Sequence, residues 1–173
     1  MPDITFHHVR AEDVGLLAFP SPDLFDAQIN HERLKVYLDR PCHFLFVALH
    51  RGMAVGMMMG VVHYHPDVET DFVIENFYVD SRFRGRDIGR RLLATARVEA
   101  QARGCSTILF TTTTDNASAR RFMQTSGFVK VPSVTYLQSV DQLDANVTEP
   151  LTPLQTAFAQ KQRPSNTLRS AGQ

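Results

Sequence analysis

Arg82, Arg84, Arg86, Arg90 and Arg91 crowd one short stretch that also holds Gly85 and Gly89. Guanidinium groups at that density suit a polyanion, because each offers planar donors to phosphate oxygens. The flanking residues point the same way. Phe72 to Val79 is rich in aromatic and β-branched residues and reads as a strand. From Ile88 onward Leu92, Leu93, Ala96 and Ala100 recur at helical spacing. A glycine-bearing loop between a strand and a helix turns backbone N–H groups inward, and the helix N-terminus adds partial positive charge. Two common phosphate loops do not fit. The lysine of G-x-x-x-x-G-K-[ST] is missing, and G-x-G-x-x-G does not occur. An acid, Glu75, lies in the strand two residues before Phe77. In a regular strand Asn76 points to the opposite face, and a bulge would exchange the two.

The segment Arg84-Gly85-Arg86-Asp87-Ile88-Gly89 resembles the acetyl-CoA loop of the GNAT superfamily of N-acetyltransferases, [QR]-x-x-G-x-[GA]. Asp87 stands where that loop usually has glycine. The wider pattern V-D-x-x-x-R-G-x-x-I-G-x-x-L-L, Asp115-Asn116-x-x-Ala119 and Gly127-Phe128 extend the resemblance to roughly residues 3 to 137. It implies an α/β (α+β) fold, with a mixed central sheet of about seven strands flanked by helices and splayed between the fourth and fifth. The domain would occupy 1–140, followed by a partly disordered extension over 141–173.

The resemblance also implies chemistry. Acetyl-CoA would be the cosubstrate and an amine the acceptor, without a metal, a nucleic acid or a membrane as partner, and with a homodimer allowed. The backbone of Phe77 and Val79 would hold the pantetheine arm and polarise the thioester. Arg84, Gly85, Arg86, Asp87, Ile88, Gly89 and Arg90 would surround the pyrophosphate, and Asn116 would add a cofactor contact. Glu75 would accept the amine proton, with Asn76 as the alternative acceptor-side position. Many relatives place a tyrosine acid on the helix after the fifth strand. Here Met123 fills that place beside Phe122, which leaves Tyr136 as the substitute or no side-chain acid at all. Tyr64-x-Pro66-Asp67 and Leu24-Phe25-Asp26 resemble a bacterial branch that includes enzymes similar to aminoglycoside 3-N-acetyltransferases. A CoA-binding or regulatory module without turnover is the alternative, and Met123 and Asp87 favour it slightly.

Around these residues the chain has to supply a scaffold. Ile4 to Val9 reads as a strand, and Arg10-Ala11-Glu12-Asp13 opens a short helix. Pro20-Ser21-Pro22-Asp23 breaks the chain and caps a second helical region with Leu34, Tyr37 and Leu38 on its apolar face, ended by Pro41. His43–Leu49 and Met53–Tyr64 form a hairpin about Arg51-Gly52, with Met57, Met58 and Met59 as core filler. Gly104 ends the long helix, Thr107–Thr113 is a strand, and Asp115-Asn116 cap a further helix stopped by Gly127. Phe128–Val131 and Val134–Val140 read as the last two strands. His63 and His65 lack further ligands at zinc spacing and read as loop residues.

Composition limits the alternatives. A chain of 173 residues with 43% hydrophobic content can bury one real core. Eighteen basic residues balance 18 acidic ones, so nucleic acid as an obligate partner is disfavoured. Cys42 and Cys105 are too few for a disulfide framework. No apolar run approaches a membrane span and Met1-Pro2-Asp3 does not open a signal peptide, so a cytoplasmic setting is expected.

Overall fold

The alternating and apolar runs of the sequence assemble into one five-stranded sheet. Its strands are β1 (Ile4–Val9), β2 (His43–His50), β3 (Met53–His63), β4 (Asp71–Val79) and β5 (Thr107–Phe110). They lie side by side in sequence order, with β1 to β4 antiparallel and β5 parallel to β4. The helices are α1 (His31–Leu38), α2 (Ile88–Ala102) and α3 (Ala117–Thr125), with 3-10 helices at Ala11–Leu17 and Ser81–Phe83. The computed structural model describes residues 4–22, 24–25 and 27–138. The chain divides into two compact units, Met1–Thr111 and Thr112–Gln173. The extension expected over 141–173 lies outside the described residues.

In the first unit the β2–β3 hairpin closes through Arg51 and Gly52, both at positive φ (49° and 80°). Two residues of that hand match the right-handed twist of the strands they join. The sheet then buries both faces. Val9, Leu45, Val47, Leu49 and Met57 form one core with Leu17, Leu24 and Leu34, so this face lies under the first 3-10 helix and α1. On the other face α2 buries Ile88, Leu92, Leu93, Ala96 and Ala100. Gly56 permits that approach: a Cβ there would stand 3.0 Å from Ile88 Cγ2 and 3.3 Å from Leu92 Cδ1. Gly60 has the same role for Phe72, whose ring occupies the space a Cβ would need.

Three expectations are corrected. Ser21 does not cap the helix: α1 starts at His31, and the Asn30 side chain accepts from Arg33 N at 3.0 Å. Ser21 is buried and bonded to Asp80 instead. The strand expected to reach Thr113 ends at Phe110. Among the described residues the sheet has five strands, not about seven, because 128–131 and 134–138 form no strand; Ser139 and Val140 lie outside the described residues. A strand is stable only inside a ladder that covers it, and Val129, Val131 and Val134 are 86, 73 and 76% exposed. Pro132 also removes a donor midway.

The second unit is described by α3 and its ends. Asn116 Oδ1 accepts from Ala119 N at 3.1 Å, as an N-cap should. At the other end Gly127 takes φ 87°, and Phe128 N reaches Met123 O at 3.0 Å, closing the helix.

Candidate functional site

The site begins where β4 loses its regularity. Opposite β3, Ile74 pairs with Gly60 and Asn76 with Met59, so Glu75 is an extra residue, a bulge. On the other edge, β5 pairs only with Asp71 to Ile74. Both changes fall at the same residue. From Glu75 to Val79, β4 keeps β3 on one side and pairs with no residue of β5 on the other. β5 is only four residues long and itself ends at Phe110, opposite Ile74.

The bulge also settles which faces the side chains take. Directly opposed residues share a face. Asn76 therefore lies with Met59, which packs on the α1 side of the sheet. Glu75 is on that side too, since its Oε2 accepts from the Tyr37 hydroxyl of α1 at 3.3 Å. Asn76 is thus not on the opposite face, as regular alternation had suggested. Phe77 and Val79 oppose Met58 and Gly56, and so face α2.

Tyr37 was legible in the sequence only as an apolar helix residue. Its hydroxyl lies 3.2 Å from Gly60 O and 3.3 Å from Phe44 O as well as near Glu75. Burial first, then the charge and hydrogen bond of Glu75, push the phenol well above its ordinary range. It stays a donor. The usable signal was a tyrosine on a buried helix face, whose hydroxyl needs a polar partner.

Beyond Val79 the chain turns through Ser81–Phe83 into the arginine loop. Gly85 takes φ 74°, and Asp87 takes φ 62° and ψ 9°, the left-handed conformation glycine usually supplies. Asp87 is the residue before α2, and its carbonyl receives the first helical bond, from Arg91 N at 3.1 Å. The N–H groups of Ile88, Gly89 and Arg90 precede any carbonyl that α2 could offer them. Arg84, Arg86 and Arg90 are exposed around this turn. Arg84 Nε donates to Val79 O at 3.0 Å, and the Arg86 guanidinium lies 5.0 Å from the Phe83 ring centre. Asp87 and Arg90 approach to 3.9 Å, both mostly in water, so that pair contributes little.

Asp80 anchors the loop and was not singled out in the sequence. Its buried carboxylate accepts from Arg82 Nη2 at 2.6 Å, Arg82 Nε at 3.1 Å, Arg82 N at 2.9 Å and the Ser21 hydroxyl. Ser21 in turn is fastened to β3 by Ser21 N to Ala54 O at 2.8 Å. The Arg82 hydrogen bonds hold the Asp80 carboxyl far below the usual carboxylate range, against the effect of burial. A depressed native value means stability that is present above about pH 4, the unfolded carboxylate range, and is lost as pH falls below it. Arg82→Ala should lower stability at pH 7 by roughly 1–2 kcal/mol, the low end because Arg82 is 63% exposed. Urea denaturation of both proteins from pH 3 to pH 7 should show the gap narrowing on the acid side.

The remaining expected residues fall in two places. Asn116 belongs to the second unit, where its side-chain oxygen is engaged in capping α3. Tyr136 is 90% exposed in a stretch without strand structure, which corrects its expected position in a last strand. His65 Nε2 lies 3.7 Å from Asp71 Oδ2 at the start of β4. On the α1 side of the sheet a cleft of about 420 Å³ opens between Leu17, Pro20, Ser21, Phe25, Ile29 and His31. No described helix is long and apolar enough to cross a membrane.

Residues 11–128 match the model of the acetyltransferase (GNAT) family. No curated protein matches the chain. Among solved structures it is similar to an aminoglycoside acetyltransferase from an uncultured soil metagenomic sample, in complex with sisomicin. The TM-score is 0.69 at 16% identity, covering 79% of this chain and 95% of that one. It is similar to the aminoglycoside acetyltransferase AAC(6')-Iy bound to a bisubstrate analogue, at TM-score 0.65 and 18% identity, over 79% and 97% of the two chains. A transcriptional regulator from Bacillus halodurans C-125 has TM-score 0.62 at 22% identity, over 79% and 99%. At these identities the likeness is one of fold.

Proposed function

The chain belongs to the GNAT family of N-acetyltransferases, and from that membership we propose that it moves acetyl from acetyl-CoA to a primary amine by direct attack within a ternary complex. The observation that carries this reading is the coincidence, at Glu75, of the β4 bulge and the end of the β5 ladder. An extended arm running along β4 beyond Glu75 would lie beside Phe77 and Val79. The left-handed turn at Gly85 and Asp87, the first-turn N–H groups of α2 and the exposed Arg84, Arg86 and Arg90 fit a pyrophosphate. Fixed dipoles of this kind need little reorganisation.

Acetyl-CoA supplies an activated acetyl group, and the protein supplies position and proton transfer. An alkylamine with a pKa near ~10 is mostly protonated at neutral pH and has no free lone pair. Glu75 takes that proton as general base. The amine nitrogen then bonds to the acetyl carbon, the carbon–sulfur bond breaks, and the nitrogen gives its second proton to water to leave a neutral amide. Thiols ionise near ~8.5, so sulfur leaves as thiolate and takes a proton from water without a side-chain acid. The cleft between Leu17, Pro20, Ser21 and His31, lined by polar and apolar groups alike, opens on the same face of the sheet as Glu75, although Glu75 does not line it.

The fold likeness to aminoglycoside acetyltransferases makes sisomicin a reasonable member of an amine panel, beside simple alkylamines and a lysine peptide. Thiol release from acetyl-CoA should depend on one class of amine. A thermal shift with acetyl-CoA and CoA, and none with ATP, should accompany it. Stabilisation by CoA without thiol release from any amine would instead support a binding module, the reading that the regulator's fold leaves open.

A further inference from the structure

We infer that Tyr37 is a positioning residue that holds the Glu75 carboxylate in place at the β4 bulge, aimed to accept a proton. The inference rests on the reading of Glu75 as the base, and extends the site to α1. Tyr37 is itself held: its ring packs on the core beneath α1 and lies 4.4 Å from the His43 ring. The helix that carries it is fixed at its start by the Asn30 cap.

The geometry around the hydroxyl is specific to a bulge. One proton lies among three acceptors: Glu75 Oε2 at 3.3 Å, Gly60 O at 3.2 Å and Phe44 O at 3.3 Å. Gly60 is the β3 residue at the register shift that leaves Glu75 without a partner across the ladder. The ring of Phe72 fills the space beside Gly60, so the carbonyl that Tyr37 uses is held by packing on the other face of the sheet. A carboxylate is a stronger acceptor than an amide carbonyl. While Glu75 is ionised, the Tyr37 proton turns to it and fixes its direction. Once Glu75 has taken the amine proton, the hydroxyl can turn to Gly60 or Phe44 without being left unsatisfied. Tyr37 thus orients the ionised base without trapping the protonated one. It remains a phenol throughout, because burial and the neighbouring negative charge oppose its ionisation.

The test is a double-mutant cycle on Tyr37→Phe and Glu75→Gln, read by thiol release from acetyl-CoA with each panel amine and with water alone. Tyr37→Phe should lower kcat by up to about 100-fold, the scale of a mispositioned catalytic group, with KM for acetyl-CoA unchanged. The double variant should be no slower than Glu75→Gln alone, because Tyr37 acts only through Glu75. A merely structural tyrosine would give independent losses that multiply, and that result overturns the inference. So does wild-type kcat in Tyr37→Phe while Glu75→Gln is slow, which leaves the base assignment standing. Wild-type kcat in Glu75→Gln, or no thiol release from the parent protein, removes the base assignment and this inference together. If Tyr37→Phe melts the fold, 3-fluorotyrosine at position 37 keeps the hydroxyl and nearly the same ring, and makes the phenol a stronger donor. Its effect on kcat must then vanish in Glu75→Gln; an equal effect in both backgrounds counts against Tyr37.

Discussion

Glu75→Gln should slow acetyl transfer by ~10²–10⁴, while the melting temperature and acetyl-CoA affinity stay at parental values. The amide is close to isosteric, and its oxygen can still accept from Tyr37, so packing is not what changes. The side chain is exposed at the bulge, and none of the cores depends on it. What disappears is the capacity to take a proton from the incoming ammonium group. Steady-state thiol release measures the rate, with calorimetry for the cosubstrate. Undiminished turnover would move the search for the base to Asn76 or to a water chain. A fallen melting temperature would instead identify a structural carboxylate.

Arg84→Ala combined with Arg86→Ala should weaken CoA binding by at least about a hundredfold at low salt. Each charge-assisted contact to phosphate contributes roughly 1.5–3 kcal/mol, and each 1.4 kcal/mol is a tenfold change. The fold should survive, because both side chains lie in solvent. Their present contacts, to the Val79 carbonyl and over the Phe83 ring, are made at the surface. The difference between parent and variant should shrink as salt is raised, since exposed charges are screened. Calorimetry with CoA at two salt concentrations decides it. Equal affinities at low salt would mean that the arginine loop is not the pyrophosphate site.

Local chemistry made the framework readable in advance. The left-handed hairpin turn at Arg51-Gly52, the C-terminal glycines at Gly104 and Gly127, and the N-terminal Asn116 act within a few residues of themselves. So does the turn at Asp87, where the sequence departs from the usual loop and the backbone is left-handed. Of these, the loop at Asp87, Asn116 and Gly127 also carried the acetyltransferase resemblance, and the family match over residues 11–128 agrees with it.

What the sequence by itself determined, then, is the order of elements up to α3, the left-handed arginine-bearing turn before α2 and the presence of a carboxylate in β4 at Glu75, because spacing and backbone preference are local. It overestimated the strands after Gly127, since β propensity cannot say whether a ladder exists to receive a segment. Only the tertiary structure decided how Glu75 faces, because a bulge is a mismatch between two strands and belongs to neither alone. The same holds for Tyr37 beside Glu75 and for Ser21 on Asp80, pairs separated by 38 and 59 residues. Their partners are chosen by burial: a hydroxyl or a carboxylate taken out of water must find a hydrogen bond wherever the fold brings one.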